Sequence, residues 1–148
     1  MTTSARCITC LVLAAAMLPL VAALADDQDT IDYRQDIMKS MGEQTAAIAQ
    51  ILEHKAPPDN FGVHTQILAI TAATAKKAFE PKVPGGEAKP EVWAKWADFA
   101  KRLDELTAAT ADLAKTAVSS GIPATAPKVQ AALTCKSCHD VYRREQQK

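Results

Sequence analysis

Helix-breaking residues are confined to a few places in this chain, and their positions leave it little choice of architecture. Beyond Asp26, proline and glycine concentrate at Pro57-Pro58, between Pro81 and Pro90, and at Gly121 and Pro123. The stretches between are rich in Ala, Leu, Lys, Glu and Gln and hold few runs of β-branched residues, a composition that favours helix. Four helices with short connections predict an all-α protein, an up-down-up-down antiparallel four-helix bundle.

The first helix is expected from about Asp29 to His54, with Ile31, Met38, Met41, Ile48 and Leu52 forming an apolar stripe at three- and four-residue steps. Ala56-Pro57-Pro58 ends it. Asp59 or Asn60 is positioned to cap a second helix with a stripe of Val63, Ile67, Ile70 and Thr74, which stops near Phe79 ahead of Pro81. Residues 81–90 form the longest loop. Pro90 suits the first turn of a third helix carrying Val92, Trp96, Phe99, Leu103, Leu106 and Leu113 on one side, closed by Gly121 and Pro123. A fourth runs from Ala124 or Thr125 through Val129 and Leu133 to the C-terminus.

The N-terminus reads differently. Arg6, the apolar run Cys7 to Leu24 and the small-residue step Ala23-Leu24-Ala25 before Asp26 form a cleaved secretory signal peptide, residues 1–25. An uncleaved anchor is the alternative, because the run is almost long enough to span a bilayer; Pro19 and the small residues favour cleavage. Residues 26–148 then form a single domain. With 17 basic and 17 acidic residues in the whole chain, removal of Arg6 leaves one net negative charge and no basic stripe for nucleic acid. No later stretch is apolar enough to span a membrane, so a protein exported to the periplasm is expected.

Export leaves Cys135 and Cys138 as the only cysteines of the mature chain, too few for a disulfide framework. They belong to Cys135-Lys136-Ser137-Cys138-His139, the C-x-x-C-H pattern of covalent c-type haem attachment. In it two thiols add to the haem vinyl groups and the adjacent imidazole takes the iron. On a helix, residues 135, 138, 139 and 142 share a face, so both sulfurs, the imidazole and Tyr142 meet one flat macrocycle. The competing readings are a redox dithiol, a zinc half-site or a chance pair. A dithiol should open a helix after a strand, and a zinc site needs four ligands, where only His54 and His64 remain as further imidazoles and there is no second cysteine pair.

Bundle geometry narrows the search for a residue on the other side of the iron. His139 stands about nine residues from the C-terminus, roughly 14 Å along its helix. First and last helices of such a bundle are antiparallel neighbours, so the matching level on the first falls near residue 38. Met38 is there, and a thioether is a known axial ligand opposite His. Met41, one turn on, is its rival, and core packing is the ordinary use of a helical methionine. Arg34, one turn before Met38, is positioned to pair with a haem propionate. His54 lies roughly 24 Å beyond Met38 and should be a solvated helix-end residue, with His64 a rim residue at the same far end. Tyr33, Tyr142 and Arg143 flank the haem level as edge residues or as solvated surface. Trp93 and Trp96 read as packing residues, and Phe99 as one close enough to touch the ring.

With its motif near the end of four expected helices, the sequence resembles the cytochrome c′ family, the class II c-type cytochromes. The resemblance runs through Tyr33-Arg34-Gln35, Gly85-Gly86, Ala88-Lys89-Pro90-Glu91-Val92-Trp93 and the segment from Cys135 to Arg143, of which the last is the most specific. It implies a left-twisted bundle, one haem c, His139 as proximal ligand and Arg34 near a propionate. High-spin members carry an apolar residue at the distal position and bind nitric oxide or carbon monoxide. Low-spin members, the cytochrome c-556 subgroup, carry Met there and pass electrons. Counted from Tyr33-Arg34, that position is Met38.

The expectation is therefore an electron carrier with His139 and Met38 as axial ligands, Cys135 and Cys138 as thioethers, and Arg34, Tyr142 and Arg143 about the cofactor. A five-coordinate gas binder is the alternative. Enzymatic activity such as that of a peroxidase is not expected, since no distal His or acid/base pair is evident. Unidentified redox proteins are the expected partners, and the resemblance permits a homodimer through the first two helices.

Overall fold

The computed structural model describes residues 26–145, and the expected signal peptide, residues 1–25, lies outside them. Helix α1, Asp27–Leu52, begins at a reciprocal cap: the Asp29 amide donates to Asp26 Oδ1 at 2.8 Å, and the Asp26 amide to Asp29 Oδ2 at 3.4 Å. Two orphan amides are satisfied at once. The chain leaves the helix through His54, whose φ of 59° is the left-handed conformation common after a helix end.

A 3-10 turn, Pro58–Asn60, then runs straight into α2, Phe61–Phe79. No side chain caps α2, so the expected role of Asp59 or Asn60 is not seen; the turn delivers the chain already wound. The expected third helix opens as one separate turn, α3, Glu91–Ala94, interrupted at Lys95 (φ −120°, ψ 42°) before α4, Trp96–Ala132. Gly121, at φ 71° and ψ −171°, kinks α4 and turns the chain back, as its expected role as terminator requires. Its carbonyl accepts from Thr125 Oγ1 at 2.7 Å. The last leg of the bundle is therefore the part of α4 after Gly121, followed by α5, Cys135–Tyr142. It is not the continuous helix expected: Leu133 (φ −97°, ψ 69°) and Thr134 break it just before the cysteines.

Four legs pack as an antiparallel bundle, with α2 at the centre of the contacts to α1 and α4. The core faces of α1 and α4 follow the expected stripes, through Met41, Ile48, Phe99, Leu103 and Leu113. The face of α2 does not. Val63, Ile67 and Ile70 are exposed, Ile70 at 69%, while Phe61, Thr65, Leu68, Ala72, Ala75 and Phe79 are buried. Thr65, Ala72, Ala75 and Ala78, set between the large Phe61, Leu68 and Phe79, let the central helix approach two neighbours closely. The buried Thr65 hydroxyl loses nothing by this, since it donates to the Gly62 carbonyl at 2.8 Å. The outward row of Val63, Ile67 and Ile70 lies on one of the two helices through which the resemblance permits a homodimer.

The loop from 81 to 90 crosses from α2 to α3 against both α1 and the end of α5. A Cβ on Gly85 would lie 2.5 Å from Ile31 Cδ1, and one on Gly86 would lie 2.9 Å from Ile31 Cγ2. Both glycines have positive φ, 138° and 58°. Close approach and left-handed backbone together make a side chain strained here, since Ile31 would have to shift. On its other side the loop is sewn to the exit of α5, the Lys89 amide donating to the Tyr142 carbonyl at 2.9 Å and the Arg144 amide to the Glu87 carbonyl at 2.8 Å. Among the described residues no helix is long and apolar enough to cross a membrane.

Candidate functional site

The first and last helices make few close backbone approaches to one another; a cavity of about 740 Å³ lies between them. That is within the usual size of a small-molecule or cofactor site. From α1 come Arg34, Met38 and Met41; from α5 come Cys135, Cys138, His139 and Tyr142; Arg143 follows at the rim. Every expected site residue thus lines one space, although α1 and α5 are separated by most of the chain. Gly85 and Gly86 supply its third wall, where the loop bridges α1 and α5. Phe79, Val92, Phe99, Leu103 and Leu106 make the floor apolar.

These residues fit a haem. Two sulfurs, an imidazole and a thioether are a soft donor set suited to iron and to thioether attachment. The break at Leu133 and Thr134 frees α5 from the direction of α4, and all four residues of its expected face turn to the cavity. Cys135 is exposed and Cys138 half-buried. Burial pushes the Cys138 thiol above its ordinary value and, with the Arg143 cation second, lowers the imidazole of His139. A lowered imidazole stays neutral and keeps a lone pair for a metal. Among the described residues no three His, Cys, Asp or Glu side chains gather in a group able to hold an ion.

Met38 is partly buried beside the core, and Met41 is buried at 8% exposure. Both methionines line the cavity, so the rivalry between them is one of position along α1. Arg34 is 3% exposed. It is held by Nη1 donating to the Val83 carbonyl at 2.9 Å, and its guanidinium lies 5.3 Å from the Phe79 ring and 5.2 Å from the Trp93 ring. Burial lowers its pKa, yet a guanidinium remains charged. A buried cation on the wall is poised for an anionic group. Trp93 itself is a packing residue that donates Nε1–H to the Phe79 carbonyl at 3.0 Å.

His54 and His64 do not line the cavity. His54 is exposed, and His64 Nδ1 lies 2.8 Å from Gln44 Oε1. Tyr33 is 55% exposed and faces away, which leaves it the solvated alternative. Tyr142 takes the other one. It is 3% exposed, meets the Phe99 ring edge-on at 5.0 Å, and its hydroxyl donates to Asp98 Oδ2 at 2.5 Å.

Asp98 and its partner Arg102 were not singled out as site residues in the sequence. Only their spacing of four, the spacing of helical ion pairs, marks them there. Desolvation and the Asp98 carboxylate push the Tyr142 phenol up to about 12, and hydrogen bonds from Tyr142 and Arg102 hold the Asp98 carboxyl below its usual value. A tyrosine raised in the folded state stabilises fully below its ordinary value of about 10 and loses that contribution as pH rises towards 12. Parent and Tyr142→Phe are therefore expected to converge in urea midpoint between about pH 10 and 12. A constant difference across that range would refute the assignment.

The family described as Cytochrome C' matches residues 29–143. A cytochrome c' of Alcaligenes xylosoxydans xylosoxydans is 27% identical over 82% of this chain and 98% of its own length. A cytochrome c-556 of Agrobacterium fabrum is 32% identical over 76% of this chain and 80% of its own. Among solved structures, a nitric oxide complex and a carbon monoxide complex of variant cytochrome c prime from Alcaligenes xylosoxidans each superpose with a TM-score of 0.70 at 27% identity. Each match covers 82% of this chain and 99% of that one.

Proposed function

Because the chain belongs to the cytochrome c′ family, whose members carry covalent haem c, we propose that it is a periplasmic electron-transfer cytochrome with His139 and Met38 as axial ligands. Cys135 and Cys138 form the two thioethers. The observation that carries the reading is Met38 lining the same cavity as His139, from the opposite helix.

The bound haem supplies a one-electron redox centre. The rest is done by the chain. Cys135 and Cys138 would hold the haem through thioethers, and the imidazole of His139 would give its iron a nitrogen lone pair. Met38 would give a sulfur, which raises the reduction potential. Buried Arg34 and rim Arg143 would pair with its carboxylates, and Tyr142 would pack against it. The apolar floor limits water and so favours the less charged state. Redox proteins outside the cytoplasm are the partners, reached after removal of residues 1–25.

A second reading, a gas-binding haemoprotein, is favoured by the nitric oxide and carbon monoxide complexes of the similar structures. The oxidised and reduced absorption spectra of the purified holoprotein decide between them. Sharp low-spin bands in both states with slow, weak carbon monoxide binding are the expected result. High-spin bands with rapid, tight binding would establish gas binding instead.

A further inference from the structure

On the other side of the cysteine pair, α4 and α5 enclose a smaller cleft of about 330 Å³ whose walls include Asp98, Arg102, Ser137 and Cys138. Asp98 Oδ2 accepts from Arg102 Nε at 2.7 Å and from the Tyr142 hydroxyl. Arg102 Nη1 donates to the Ser137 carbonyl at 3.2 Å, and its guanidinium lies 5.8 Å from the Tyr142 ring. One turn of α4 therefore grips α5 at two points, one on each side of His139. The grip matters because α5 has only eight residues and no side-chain cap at Thr134. A partly exposed ion pair of this kind adds little to global stability by itself. Its two bonds to α5 point to a local task.

We propose that Asp98 and Arg102 act on the haem as a balanced charge pair, each cancelling the shift in reduction potential that the other would cause alone. This rests on the reading of Cys135, Cys138 and His139 as the haem site. Reduction adds one negative charge to the centre. A lone cation nearby favours the reduced state and raises the midpoint; a lone anion lowers it. In the intact pair the two effects largely cancel.

Asp98→Asn leaves the Arg102 charge uncompensated, and Arg102→Gln leaves the carboxylate. The two variants therefore move the potential in opposite directions, whereas mere loosening of α5 moves both the same way. Both side chains are partly exposed, so the shifts shrink as salt shortens the screening length from about 30 Å to about 3 Å.

The test is potentiometric titration of purified holoproteins at low and high salt. The expected result is a rise in Asp98→Asn, a fall in Arg102→Gln, a value near the parent in the double variant, and convergence of all four at high salt. Shifts of one sign in both variants, or none in either, overturn the proposal. Should Arg102→Gln fail to fold, Arg102→Lys keeps the charge; a potential near the parent is expected there, and a clear fall overturns the proposal. A parent without covalently bound haem, seen first in its denatured pyridine spectrum, overturns the underlying site reading instead.

Discussion

Replacing both Cys135 and Cys138 by alanine is expected to give a chain from which acidified organic solvent extracts all the haem, where the parent releases none. Both sulfurs line the cavity beside His139, and thioether bonds survive denaturation while axial ligation does not. The second consequence concerns the fold. The open cleft of about 740 Å³ has an apolar floor that stays wet unless a group fills it. Without a tethered group to fill it, α1 and α5 lose their common surface, and the loop held by Gly85 and Gly86 loses one wall. The variant should keep far-UV helix signal while its near-UV signal collapses. Haem that resists extraction in the double variant would refute the attachment.

Met38→Ala carries the other large effect. Removing the thioether opens one axial position, so the low-spin bands of the parent should give way to a high-spin spectrum. A sixth ligand from the protein competes with an added one, and the apparent affinity for carbon monoxide falls by the fraction of sites it leaves open. A methionine bond worth about 1.4 kcal/mol or more makes that fraction about one tenth or less, so carbon monoxide should bind at least about tenfold tighter in the variant. Met41→Ala, one turn away on the same cavity wall, is the control and should leave the spectrum in place. If the two results are exchanged, Met41 is the ligand. If neither changes the bands, His139 has no methionine opposite it.

How much of this was legible beforehand differs from helix to helix. For α1 and α4, large side chains recur on one face and are charged on the other, so period and burial agree. For α2 the pattern misled, because two apolar faces are present and bulk points to the wrong one. The central helix of the bundle buries Ala72, Ala75 and Thr65 so that α1 and α4 can come close, and leaves Val63, Ile67 and Ile70 outside. Hydrophobicity ranks residues; closeness of packing ranks shapes. The break at Leu133 and Thr134 was equally hidden, since neither residue is a helix breaker by propensity.

At the site the division is similar. The spacing of Cys135, Cys138, His139 and Tyr142 is a local property, and about two turns of helix put all four on one face whatever surrounds it. The level of Met38 was counted from the rise per residue along antiparallel helices, and the cavity lining holds both Met38 and Met41. Asp98 and Arg102 could not be reached in this way, because their partners Tyr142 and Ser137 are 44 and 35 residues distant.

The sequence by itself determined the elements and the chemistry. Breaker positions marked the ends of α1 and α2 and the turn at Gly121, since backbone conformation there is a local choice, and five consecutive residues set the kind of cofactor, since attachment needs only one helical face. Only the tertiary structure decided which face of α2 is inner, that α1 and α5 stand apart around a cavity, and that an ion pair on α4 holds α5 in place. Those are outcomes of packing between segments far apart in the chain, where shape and the pairing of buried polar groups decide, and no local pattern records them.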